Sequence, residues 1–170
     1  PGSDAIMPLA RLAAQQGVTL ALVGSTDAAL SAAKSYLERE VRDLEVAITI
    51  APPMGFDPNG PAADEIFARL TASGAGLCFV ALGAPKQEIF AAAGRRKAPQ
   101  IGFASIGAGL DFFAGRQKRA PRWVRRFAIE WLWRGAISPR RLAPRYAKCL
   151  AILPGQVLRA MLQRFRTPQH

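Results

Sequence analysis

A chain of 170 residues, 50% apolar and 21% charged, has room for a domain with its own hydrophobic core and is not disordered in composition. Its one histidine, His170, rules out Ser-His-Asp and Cys-His chemistry and any histidine-based zinc site, and the two distant cysteines, Cys78 and Cys149, rule out a disulfide framework. The net charge of +11 is concentrated at one end: residues 1–115 carry nine Lys/Arg against eleven Asp/Glu, whereas residues 116–170 carry fourteen against Glu130 alone. Such a distribution suits a polyanionic surface, either nucleic acid or anionic lipid, or else a solvated charged face.

The first pattern in chain order is a helix over 7–16. A short buried strand over 19–23 follows, stopping at Gly24. A second helix is predicted over 26–42, with Thr26 or Asp27 as its N-cap. A strand over 45–50 leads into a loop at 52–56 marked by Pro52, Pro53 and Gly55. A helix over 64–73, a strand over 76–82 ending at Gly83, a short helix over 88–95 and a strand over 100–106 ending at Gly107 complete the alternation. Cys78 falls inside an apolar strand and reads as a buried free thiol. Strands alternating with helices predict an α/β fold: a Rossmann-like parallel sheet with helices on both faces, occupying residues 1–115. No internal repeat appears, and no apolar run reaches the roughly 18–20 residues that span a bilayer. With no leader-like start either, a cytoplasmic protein is expected, lying on a membrane if it meets one.

Three predicted strands end at glycine, at Gly24, Gly83 and Gly107. In open parallel sheets, ligands bind outside the carboxyl ends of the strands, where glycine lets backbone come close. Each of these glycines also suffices merely to turn the chain. The dinucleotide fingerprint G-x-G-x-x-G does not follow the first strand, and Gly107-Ala-Gly109 is only a fragment of it, so no dinucleotide cofactor is expected.

The segment Gly83-Ala-Pro-Lys-Gln-Glu88 places Lys86, Gln87 and Glu88 at a helix N-terminus. There the free N–H groups and the Lys86 charge favour an anion, and Gln87 can both donate and accept toward a sugar or a uracil edge. Glu88 reads as a helix cap or a base, and the whole segment reads equally as a capped turn with no ligand. In Gly107-Ala-Gly-Leu-Asp111, Asp111 suits sugar or ribose hydroxyls, or caps the next turn.

Beyond residue 116 a basic helical appendage is predicted. A helix opening at Pro121 gathers Trp123, Val124, Phe127, Ala128, Trp131 and Leu132 on one half. Arg122, Arg125 and Arg126 share the other half with Ile129 and Trp133, the mixture of arginine and exposed apolar groups expected of a helix lying in a membrane interface. A core-packing helix with a solvated back explains the first half but leaves Trp133 without a reason. A further helix is predicted near 147–165, started or interrupted at Pro154.

In this order, Gly83–Glu88, the Gly107–Gly115 segment, Lys118-Arg-Ala-Pro-Arg-Trp123, Glu130-Trp-Leu132 and the arginines from Arg134 to Tyr146 resemble the WecB/TagA/CpsF family of bacterial glycosyltransferases. Pro1-Gly-Ser-Asp4, Leu22-Val-Gly24 and Met54-Gly-Phe56 fit weaker family landmarks, so the resemblance spans almost the whole chain. It implies an inverting transfer of a sugar, often of the N-acetylmannosamine type, from a UDP-sugar to an undecaprenyl-diphosphate-linked sugar in cell-surface polysaccharide synthesis. By the same resemblance Gln87 contacts the donor, and Gly83, Lys86, Gly107 and Asp111 line its pocket. Arg134 and Arg141 neutralise diphosphate at the membrane, joined by Arg145, because Pro144 stands where the family commonly has a basic residue. Gly24, Glu88 and Gly109 complete the expected substrate-binding set.

Family chains carry a further N-terminal segment holding the aspartate usually assigned as general base. The expectation is therefore that the base lies outside these residues and that the chain alone turns over poorly. No cofactor and no obligatory metal are expected, since Asp-x-Asp is absent. The expected partners are a UDP-sugar, a lipid-linked acceptor and the anionic inner face of the plasma membrane, with self-association open. A non-catalytic nucleotide-sugar and membrane-binding module is the alternative. A nucleic-acid-binding domain is weaker still, because the front of the chain is acidic and no nucleic-acid motif is present.

Overall fold

The computed structural model describes residues 2–112. Everything expected of residues 116–170 lies outside the described residues: the appendage, the membrane-facing set Arg122, Arg125, Arg126, Ile129 and Trp133, and the phosphate-binding set Arg134, Arg141 and Arg145.

The described chain runs α1 (Gly2–Gln15), β1 (Leu20–Gly24), α2 (Asp27–Glu40), β2 (Val46–Ile50), α3 (Pro61–Ala72), β3 (Leu77–Ala81), α4 (Lys86–Lys97), β4 (Gly102–Ser105) and the 3-10 turn η1 (Gly107–Phe112). Every strand and helix predicted between residues 2 and 112 is present, and the differences are at the ends. α1 starts earlier than predicted and carries Pro8 within it. α3 starts at Pro61, a proline at the first helical position, where the missing N–H is not needed. α2 begins as expected behind Thr26, whose hydroxyl accepts from the Ala29 N–H at 3.4 Å.

The strands form one parallel sheet in the order β2-β1-β3-β4. Period-two alternation divides the core. Leu20, Leu22, Phe79 and Ala81 face α1 and α2, together with Ile6, Ala10, Leu30 and Leu37. Ala21, Val23, Cys78 and Val80 face α3 and α4, together with Ile66, Phe67, Leu70 and Phe90. A central strand buried on both faces must be apolar throughout, which is why Leu20–Gly24 reads as an unbroken run. After β4 the chain returns to the first of these layers, with Ile106 and Leu110 buried beside α1 and α2.

Edge strand β2 is closed at its start by α2. The Lys34 ammonium donates to the Val46 carbonyl at 2.8 Å, and the Glu38 carboxylate accepts from the Val46 N–H at 3.0 Å. These two side chains, one turn apart on α2, satisfy backbone groups that an unpaired strand would otherwise leave open. On the other side of the sheet an aromatic cluster joins α3, α4 and β4. Phe67 stacks on Phe90 with centroids 4.4 Å apart, and Phe103 meets both edge-on at 6.1 Å. Gly94 makes room for that edge: a Cβ there would stand 2.5 Å from the Phe103 ring.

Two predictions follow from this packing. Gly94→Ala adds helix propensity of about 1 kcal/mol but forces the confined Phe103 ring to move, at about 1–3 kcal/mol. Overcrowding wins, so denaturant unfolding should show a net loss, and adding Phe103→Leu should recover part of it. Burial pushes the Cys78 thiol up from 9.0 to about 12. The unfolded chain therefore ionises this group first, and the stability it confers is full below pH 9 and falls as pH rises toward 12. Across that range Cys78→Ala should show a shallower loss of stability than the parent.

Candidate functional site

The order β2-β1-β3-β4 makes β1 and β3 neighbours although β2 lies between them in sequence. The chain leaves β1 toward one side of the sheet and β3 toward the other, which opens a crevice above their carboxyl ends. Left-handed backbone collects along this edge, at Gly24 (φ +115°) and Ser25 (φ +56°) after β1, at Gly83 (φ +75°) after β3 and at Gly107 (φ +60°) after β4.

The three glycines do different work. At Gly24 a Cβ would lie 2.4 Å from the Ala81 carbonyl oxygen, so glycine is required by the approach of β1 to β3. The Ser25 N–H donates to that same carbonyl at 3.2 Å. Gly24 therefore shapes the floor of the crevice rather than its open rim. At Gly83 and Gly107 a Cβ would meet nothing within 4 Å. There glycine is needed for its dihedral angles, and the space beside it is open.

Hydrogen bonds tie these turns together. The Gln87 N–H donates to the Gly83 carbonyl at 3.1 Å, and the Gln87 side-chain carbonyl accepts from the Gly107 N–H at 2.9 Å. The Gln87 amide nitrogen donates to the Glu88 carboxylate at 2.7 Å. Gln87 is only 9% exposed, the one buried polar side chain among the described residues. Sequence reasoning assigned it both donor and acceptor capacity toward a ligand, but its acceptor oxygen is directed at Gly107. The expected capping by Glu88 takes another form as well. The N-cap of α4 is Pro85, which has no N–H for a capping box to use, and the carboxylate turns to Gln87.

Lys86 is exposed at the first residue of α4, where its charge adds to the positive end of the helix. Its ammonium donates to the Phe56 carbonyl. The Phe56 ring is buried against Phe90, with centroids 6.0 Å apart, so the loop after β2 is anchored to α4 through backbone and side chain together. Met54, two residues earlier, is fully exposed. Gly109 is buried within η1, its N–H donating to the Ile106 carbonyl at 3.2 Å, and Asp111 belongs to the same short turn.

The described structure thus brings Gly24, Gly83, Lys86, Gln87, Glu88 and Gly107 to one edge of the sheet. Sequence reasoning missed Ser25 and the Phe56 carbonyl. The signal for the first was a small polar residue directly after a strand-ending glycine; the second left none, because a backbone acceptor has no residue-type signature. Among the described residues, no three His, Cys, Asp or Glu side chains gather where they could hold a metal ion, and no helix is long and apolar enough to cross a membrane.

Gly24→Ala combines a disfavoured φ with overlap against fixed backbone. The expected loss of stability is at least about 2 kcal/mol, read from the denaturation midpoint. A variant as stable as the parent would contradict the close approach of β1 to β3.

An edge of this kind, with open glycine turns and a lysine-bearing helix N-terminus, offers the positive end of a helix dipole and one cation to an anionic ligand. Comparison with known families agrees with the motifs quoted above. Residues 1–169 match the model of the glycosyl transferase WecG/TagA/CpsF family, and the chain belongs to that family of glycosyltransferases.

Proposed function

We propose that this glycosyltransferase uses a UDP-sugar as donor, held at the carboxyl edge of the sheet, and passes the sugar with inversion to an undecaprenyl-diphosphate-linked acceptor at a membrane surface. The product class is a cell-surface polysaccharide. The observation that carries the reading is the convergence of the Gly83 and Gly107 turns with the Lys86-bearing start of α4 on the β1/β3 crevice. A diphosphate suits that edge because the α4 dipole and the Lys86 ammonium stabilise its charge without mobile counterions. The same groups suit a leaving UDP, whose charge grows as the glycosidic bond breaks.

The basic sequence from Arg116 onward supplies what the near-neutral body lacks. Arginine stays charged and grips phosphate in a bidentate way, which fits Arg134, Arg141 and Arg145 to a lipid diphosphate. Arg122, Arg125 and Arg126, with Ile129 and Trp133, fit an anionic bilayer surface, in the cell the inner face of the plasma membrane. The general base is assigned to no residue of this chain.

Calorimetric titration with UDP should give saturable binding in the range of about 1 μM to 1 mM common for enzyme substrates, and ADP should compete poorly. Absence of binding by any uridine diphosphate species would contradict the donor assignment. For the membrane assignment, replacing Arg122, Arg125 and Arg126 together by Gln should lower partitioning onto anionic vesicles by about two orders of magnitude, since each basic residue near such a surface contributes about 1 kcal/mol. Equal flotation of the triple variant and the parent would refute it.

A further inference from the structure

Gln87 is an uncommon feature: a nearly buried carboxamide on the first turn of a helix, with both ends engaged and neither partner on its own helix backbone. Its orientation follows from its partners. The Gly107 N–H can only face the amide oxygen, and the Glu88 carboxylate can only face the amide nitrogen. Glu88 is free for this because Pro85 offers no N–H to cap.

The bond to Gly107 also serves a backbone N–H that has no other partner among the described residues. Gly107 is in left-handed conformation with open space where a side chain would be, at the point where β4 passes into η1. On one side Ile106 is held to β3 through its N–H on the Val80 carbonyl, and on the other the Gly109 N–H closes the turn on Ile106. Between them, the Gly107 N–H meets only Gln87 among the described residues.

We propose that Gln87 and Glu88 are positioning residues of the donor site. Glu88 fixes the orientation of the Gln87 amide, and Gln87 pins the β4–η1 turn to the β3–α4 turn, so that the two open glycines of the rim keep one spacing. The proposal rests on the reading of this rim as the UDP site, and it assigns Gln87 a role through Gly107 rather than through contact with the reacting sugar.

The test exchanges the two side chains in the full chain. Gln87→Glu keeps an acceptor for Gly107 but sets two carboxylates against each other. It should speed hydrogen exchange at the Gly107 amide and weaken UDP binding by roughly tenfold. The double variant Gln87→Glu with Glu88→Gln restores a donor between the pair, with the roles reversed, and should return both readouts to within about threefold of the parent. Gln87→Met, similar in volume but without the amide, should unfold cooperatively yet lose protection at Gly107. Unchanged protection in Gln87→Met, or no recovery in the double variant, would overturn the proposal. If exchange behaves as expected while the parent binds no UDP, the donor-site reading falls and the positioning role falls with it, leaving a purely architectural link.

Discussion

The site depends on how closely two strands pass. β1 and β3 pair in register from Leu20 with Leu77 to Gly24 with Ala81. At the last pair the backbone of Ala81 occupies the volume that any side chain at Gly24 would need. This contact lets the chain leave β1 and β3 in opposite directions from adjacent points, which is the geometric origin of a crevice in a doubly wound sheet. Helices cover both faces and apolar side chains fill both layers, and in sheets of this kind the carboxyl edge is where a ligand can bind without breaking the core.

The rest of the edge is built from interactions that each join two connections. Ser25 reaches back to Ala81, Lys86 reaches the loop after β2, and Gln87 reaches the turn after β4. None of these partners is close in sequence to the residue that reaches it. The rim is therefore braced by backbone groups and one buried amide, and its positive character comes from the start of α4 together with Lys86. This suits a body whose own side-chain charges nearly cancel, and in the proposed function phosphate at a bilayer falls to the strongly basic sequence after residue 116.

Much of this was legible in the sequence because it is local. The alternation of apolar runs and helical patterns placed all four strands, and Thr26 marked the start of α2. The prediction of a free thiol at position 78 also follows from a local apolar run, and Cys78 is buried in β3. Other features were not legible, because they depend on distance between elements. Gly24, Gly83 and Gly107 look alike as strand-ending glycines, yet one is demanded by a neighbouring backbone and two by dihedral angle alone. The partner of Gln87 lies twenty residues away and that of Lys86 thirty. The helical pattern over 88–95 starts two residues late, because the N-cap is Pro85 and the helix begins at Lys86. The 3-10 turn after β4 falls on a segment whose sequence signals are its glycines and Asp111, and two glycines around a small residue conceal the burial of Leu110.

The central claim is that the carboxyl edge of the sheet holds the diphosphate of the donor. Nuclear magnetic resonance of the isotopically labelled chain, titrated with UDP, tests it at single-residue resolution. The account predicts that the backbone amides of Ser25, Gly83, Lys86, Glu88 and Gly107 shift together and saturate at one ligand concentration, while those of Arg11, Glu40 and Arg42 at the opposite end of the sheet stay in place. Saturable shifts confined to the opposite end, with the glycine turns unmoved, would contradict it.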